Sequence, residues 1–155
     1  NNDIKFKFIG DGPQRHNVLT ILKPLIDSNR CEISGALSQD ALADEFRKAN
    51  FFMFPSYREG ESLGLVVIEA MACGAIPLAI NQAAISEILG DNTSLLFNSK
   101  EEFVAQIDNI LSLSDTALEN IRVNLLQRAK TYERSLVCNQ LLTQLKRLND
   151  AKSES

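Results

Sequence analysis

The feature that most constrains this chain is an alternation. Short apolar runs of strand length trade places with longer stretches whose apolar residues recur at helical spacing. Residues 4–9 (Ile-Lys-Phe-Lys-Phe-Ile) alternate apolar and polar, as a half-buried strand does, until Gly10-Asp11-Gly12-Pro13 stops them. Pro13 suits the first position of a helix, and Val18, Leu19, Leu22, Leu25 and Ile26 then fall on one helical face. Cys31-Glu32-Ile33 reads as a second strand closed by Gly35. Ser38 is placed to cap a helix reaching Ala49, with Leu42, Ala43, Phe46 and Ala49 turned inward. Residues 51–55 are continuously apolar, the pattern of a strand buried on both faces. A helix over 64–72, a buried strand over 76–80, a short helix over 85–89 and a strand near 94–97 follow. From Glu101 onward the pattern is helical: Phe103, Ile107, Ile110 and Leu111 first, then 118–130, then 136–148.

Strand and helix in strict turn, with apolar strands, imply a parallel sheet covered by helices, a doubly wound α/β domain. The expected domain covers residues 1–148, and residues 149–155 form a polar tail expected to fray. A chain of 155 residues is long enough to bury about 68–70% of its unfolded surface, and 45% hydrophobic with 23% charged residues suits a globular protein. The formal net charge of −4 argues against nucleic acid or an anionic membrane as partner. Three scattered cysteines, Cys31, Cys73 and Cys138, and one histidine, His16, fit neither a disulfide framework nor a zinc site. The cysteines are expected as small core residues and His16 as a surface residue. The chain opens with polar Asn1-Asn2-Asp3, and its longest apolar stretch, 64–80, is broken by Glu69, Gly74 and Pro77. A cytoplasmic protein is expected.

Doubly wound domains bind ligands beyond the carboxyl ends of their strands, which directs attention to the loops after Ile9, Ser34, Pro55 and Ile80. Gly10 and Gly12 permit close backbone approach to a ligand ahead of a helix start, although a plain tight turn has the same composition. The loop after Pro55 places Arg58, Glu59, Glu61 and Ser62 just before an apolar helix. The amides of Ser62, Leu63, Gly64 and Leu65 would favour an anion there by about 0.3–2 kcal/mol. Ser62 is equally readable as a helix cap, Arg58 as a solvated loop residue, and residues 100–102 as a solvated helix start. Glu69 is an acid within a helix that is otherwise almost wholly apolar. It is either a surface or ion-paired position or an acceptor for a ligand's hydroxyl pair.

Glu61 and Glu69, separated by seven residues within ESLGLVVIEAMACG, resemble the signature of glycosyltransferase family 4. FIGDGPQR upstream, FFMFPSYREG before the signature and Ile85-Ser86-Glu87-Ile88 after it match that pattern in order and spacing, over about residues 6–132. The resemblance implies a retaining GT-B enzyme with two Rossmann-like domains, of which this chain is the C-terminal, donor-binding one, lacking its upstream part. By that analogy Glu69 holds the ribose hydroxyls of a nucleotide sugar such as a UDP- or GDP-sugar. Glu61 contacts the transferred hexose and stabilises charge at its anomeric carbon. The amides from Ser62 to Leu65 cradle the diphosphate, and Gly10 and the stretch Gly35-Ala36-Leu37 line the nucleobase pocket. No cofactor or metal is implied, and no Asp-x-Asp motif of the metal-dependent class occurs.

The acceptor, a polysaccharide, lipopolysaccharide or glycolipid, would be met by the absent N-terminal half. That half would also make any peripheral contact with the inner face of a membrane, and without it the chain is expected to be inactive. Ala83-Ala84 stands where the family usually has a glycine pair, which makes sugar preference unsafe to transfer by analogy. Three rival readings stand beside this one: an inactive nucleotide-sugar-binding or interaction module of the same fold, a sugar-nucleotide epimerase, and a flavodoxin-like binding domain.

Overall fold

A computed structural model describes residues 4–56 and 64–153. The chain divides into two compact units, Asn1–Leu42 and Ala43–Ser155, with the division falling inside helix α2 (Gln39–Lys48). The expected α/β class and parallel pairing hold in both, and the strands form two hydrogen-bonded sheets.

The first unit contains β1 (Phe6–Ile9), α1 (Arg15–Asp27) and β2 (Cys31–Ser34). Its strands pair in parallel from Phe6↔Cys31 to Ile9↔Ser34. β1 is shorter than the alternating run; Phe6 N–H donates to Arg30 O at 2.8 Å and opens the pairing. Pro13 lies in the turn before α1, which begins at Arg15. The predicted inward face of α1, from Val18 to Ile26, is only half-buried. α1 ends in a Schellman arrangement: Asn29, in the left-handed region at φ 55°, donates to Ile26 O, and Arg30 donates to Leu25 O. Ser38 performs its expected cap, its hydroxyl oxygen accepting the Ala41 N–H at 3.3 Å.

The second unit runs from the remainder of α2 through β3 (Phe51–Phe54), α3 (Leu65–Ala72), β4 (Ile76–Ile80), α4 (Ala83–Leu89), a 3-10 turn (Thr93–Leu95) and β5 (Leu96–Phe97). Helices α5 (Lys100–Leu111), α6 (Asp115–Lys130) and α7 (Arg134–Ser153) complete it. The strand order is β3-β4-β5. β4 is central and every one of its residues is buried. β3, expected to be buried on both faces, forms an edge of this sheet and is half-buried at Phe51, Phe52 and Met53. Around β4, Val67 and Met71 of α3, Ile85 and Leu89 of α4, Leu95, Phe97 and Leu125 are almost wholly removed from solvent. Each such side chain contributes about 1.5–3 kcal/mol of burial. Phe46 meets Phe52 edge-on at 5.1 Å, and Phe97 meets Phe103 at 4.7 Å.

α5 has a cap that composition alone reads as a merely solvated start. Ser99 Oγ accepts the Glu102 N–H at 3.1 Å, while the Glu102 carboxylate accepts the Asn98 N–H at 2.7 Å. Hydrogen bonds from the Glu101 backbone amide and from Ser99 hold the Glu101 carboxyl below its ordinary range. α6 reaches back over the sheet helices: Arg122 Nε donates to Gly74 O at 2.8 Å beyond the end of α3. Arg128 donates to Ile88 O and Glu87 O, and the Tyr132 hydroxyl donates to Glu87 O at 3.3 Å. α7 continues to Ser153, past Leu148 where the apolar pattern ends. Of the cysteines, expected together in the core, only Cys31 is buried, and burial pushes its thiol pKa up. Cys73 is half-buried and Cys138 lies exposed on α7. Among the described residues, no helix is long and apolar enough to cross a membrane.

Candidate functional site

The parallel register decides what stands at the carboxyl end of each sheet. In the first unit Ile9 pairs with Ser34, so Gly10 and Gly35 leave their strands side by side. Gly10 has φ 138°, a conformation that side chains rarely adopt. A Cβ added at Gly10, Gly12 or Gly35 would meet nothing within 4 Å. The edge is therefore open backbone, steadied by the Asp11 carboxylate accepting the Gly12 N–H at 2.8 Å. Leu37, two residues beyond Gly35, is 38% exposed, and His16 is exposed as expected. Three of the sequence-predicted positions, Gly10, Gly35 and Leu37, thus gather at one rim.

In the second unit Pro55 and Ser56 follow β3, and Gly64 caps α3. Glu61, Ser62, Leu63 and Arg58 lie outside the described residues. Gly64 sits at φ 56°, ψ 30°, and is buried. A Cβ there would lie 2.3 Å from Ile85 Cδ1 and 3.3 Å from Ile88 Cδ1, so glycine is demanded both by the backbone and by the packing. The Val67 N–H donates to Gly64 O at 2.8 Å in the first turn of α3, whose leading amides are those of Leu65 and Val66.

α3 buries Val67, Ala70 and Met71, while Leu65 is 60% exposed and Glu69 is half-buried. Residues four apart share a helical face, and side chains lean toward the helix N-terminus, so Glu69 projects over the turn headed by Leu65. Gly64, Leu65 and Glu69 therefore occupy one end of one helix. An acid inside an apolar helix is explained by this placement, because its face is the one turned from the core.

The same edge carries a polar chain that sequence reasoning missed. Asn81, directly after β4, donates its backbone N–H to Phe97 O at 2.8 Å and its side-chain amide to Asn98 Oδ1 at 2.9 Å. Gln82 Nε2 donates to Ser56 O at 3.0 Å. The signal in the sequence is two consecutive amide side chains placed where a fully apolar strand turns into a helix.

Residues 1–132 match the family model described as glycosyl transferases group 1. The chain belongs to that family. The match takes in the first unit and most of the second and closes at Tyr132, two residues past α6; the Tyr132 hydroxyl donates to Glu87 O. Among similar proteins, a sulfoquinovosyl transferase of Arabidopsis thaliana is 31% identical over 120 residues, covering 74% of this chain and 22% of that protein. An uncharacterized glycosyltransferase of Methanocaldococcus jannaschii is 29% identical, with 85% and 36% covered. An N-acetyl-alpha-D-glucosaminyl L-malate synthase of Bacillus anthracis is 27% identical, with 81% and 30% covered. The chain thus spans about a fifth to a third of the length of these relatives. Group 1 membership and the parallel α/β units agree with a Rossmann-like GT-B glycosyltransferase domain.

Proposed function

We propose that this chain is the donor-binding part of a retaining, metal-independent glycosyltransferase of family 4. In this reading it works with an N-terminal domain that binds a saccharide or glycolipid acceptor. The observation that carries the reading is the construction of α3: a buried left-handed Gly64 at its start, with Leu65 and Glu69 on the same outward face one turn apart.

Transfer from a nucleotide sugar leaves charge on the departing diphosphate, and fixed N–H dipoles at a helix start meet that charge without reorganising. The Leu65 and Gly64 amides would act there, together with those of Ser62 and Leu63. Glu69, one turn further in, accepts hydrogen bonds from the ribose hydroxyls. Glu61 faces the transferred hexose and stabilises positive charge at the anomeric carbon as the glycosidic bond to phosphate breaks. The leaving phosphate helps take the acceptor's proton, so the acceptor oxygen bonds on the face that the phosphate leaves. Gly10, Gly35 and Leu37 offer the open backbone rim that a flat base requires. The names of two relatives carry sulfoquinovosyl and N-acetyl-alpha-D-glucosaminyl groups, which supports a hexose-type donor.

The test is kinetic. In the enzyme that carries this chain, Glu69→Ala removes charge-assisted hydrogen bonds worth about 1.5–3 kcal/mol, lowering kcat/KM at least tenfold through donor KM. Unchanged donor kinetics would remove Glu69 from the site.

A further inference from the structure

Glu69 is the single polar residue of α3 between Leu65 and Ala72. A helix usually takes its rotation from the boundary between its apolar and polar faces, and α3, apolar nearly all round, has no such boundary. Hydrophobic burial alone therefore specifies the direction of the Glu69 side chain only weakly. Polar contacts at the end of the helix supply what the pattern lacks. Cys73 N–H donates to Glu69 O at 3.1 Å, Gly74 N–H to Met71 O at 3.1 Å, and Ala75 N–H to Ala70 O at 3.0 Å. With Gly74 at φ 89°, these bonds close α3 on the turn that Glu69 belongs to. The Gly74 carbonyl in turn accepts Arg122 Nε at 2.8 Å, across 48 positions of sequence.

Arg122 is itself held in place. Its Nη1 donates to Glu119 Oε2 at 2.6 Å, about one turn earlier on α6. α6 packs on α3, and its Leu125 and Ala129 enter the same core cluster as Val67 and Met71. The missing polar boundary and the guanidinium at the helix end are separate observations, and they meet on the backbone beneath Glu69.

We propose that Arg122 is a positioning residue for Glu69. Its guanidinium needs no contact with the nucleotide sugar, because it acts through the turn whose carbonyls and amides carry the glutamate. Binding Gly74 O fixes the rotation of α3, and with it the point at which the carboxylate meets the ribose hydroxyls. Loosening that end should weaken recognition of those hydroxyls selectively. The proposal rests on the reading of Glu69 as the ribose acceptor.

The experiment is a binding titration of the full chain, and of the enzyme that carries it, with UDP, GDP and their 2′,3′-dideoxy counterparts. The proteins are wild type, Arg122→Met, Glu69→Ala and the double variant, with folding followed by circular dichroism and the thermal midpoint. Arg122→Met keeps much of the apolar stem and loses the donor. It should weaken the ribonucleotides about three- to tenfold and the dideoxynucleotides less than about twofold. Added to Glu69→Ala, it should change ribonucleotide affinity less than about twofold. If Arg122→Met does not fold, Arg122→Lys takes its place, since it keeps a cation beside Glu119 without the Nε donor. It should weaken the ribonucleotides about two- to threefold, with the same silence in the Glu69→Ala background.

Equal weakening of ribo- and dideoxynucleotides, or an undiminished effect on top of Glu69→Ala, would overturn the proposal in favour of a merely structural role. Ribonucleotide affinity unchanged by the Arg122 substitution would overturn it outright while leaving the donor-site reading intact. Wild-type protein that binds ribo- and dideoxynucleotides equally, or binds neither, would instead defeat the reading of Glu69 and the proposal with it.

Discussion

The two units of this chain are built from the same strand-helix-strand pattern, yet they bury very different amounts of it. In Asn1–Leu42 the only buried hydrophobic residue among those described is Cys31, α1 buries none, and Pro24 interrupts its interior. In Ala43–Ser155, β4 is buried at every position and α3, α4 and α6 each insert side chains around it. In the proposed donor-binding reading this difference matches two tasks. The first presents open backbone at a rim, which requires glycines more than packing. The second holds a helix end and its acid at a fixed place, which requires a close-packed support.

The comparison breaks most readily at the core. Leu78→Ala in β4 should cost about 2–5 kcal/mol in urea unfolding, whereas Leu22→Ala on α1 should cost less than about 2 kcal/mol, because its face is only half-buried. Equal losses would mean that the first unit is as tightly built as the second.

Gly64→Ala should cost about 1–3 kcal/mol from left-handed strain and the collision with Ile85. Adding Ile85→Val should recover part of that loss, since it removes the colliding methyl but not the strain. An additive pair of effects, measured as a double-mutant cycle, would disconnect α4 from Gly64.

Arg128→Ala should lower stability by about 1–2 kcal/mol by removing the Arg128 donor from the Ile88 carbonyl and leaving the Glu87 carbonyl to the Tyr132 hydroxyl. At the small end, Glu32→Gln should change stability by less than about 1 kcal/mol, because the 3.1 Å pair of Lys7 with Glu32 is exposed on the glutamate side.

Much of this architecture is legible in the amino-acid sequence alone. The apolar run that follows Gly74 and Ala75 reads as a buried strand, and residues 76–80 emerge with the predicted limits as β4. Helix ends follow from Ser38 and from the glycine after α3. The fold class needs only the alternation. What stays hidden is what depends on contacts distant in sequence. The weak burial of β3 follows from its place at the edge of its sheet, which no local pattern records. Small apolar character suggests the core for all three cysteines, but Cys138 lies on a helix whose apolar residues Leu136, Val137 and Leu142 are themselves 45–55% exposed. At the candidate site, Glu69 is conspicuous as an acid in an apolar run. Gln82 is not, because an amide at a helix start is an ordinary capping residue until its partner 26 positions away is seen.

The central claim is that the N-terminal end of α3 grips a nucleotide sugar. Its most direct measurement is the amide NMR spectrum of the chain titrated with a UDP- or GDP-sugar, compared between wild type and Glu69→Ala. The account predicts the largest shifts at Gly64, Leu65, Val66 and Glu69, with further shifts at Gly10 and Gly35, and at least tenfold weaker saturation in Glu69→Ala. Shifts that leave α3 untouched, or a titration that Glu69→Ala does not alter, would contradict it.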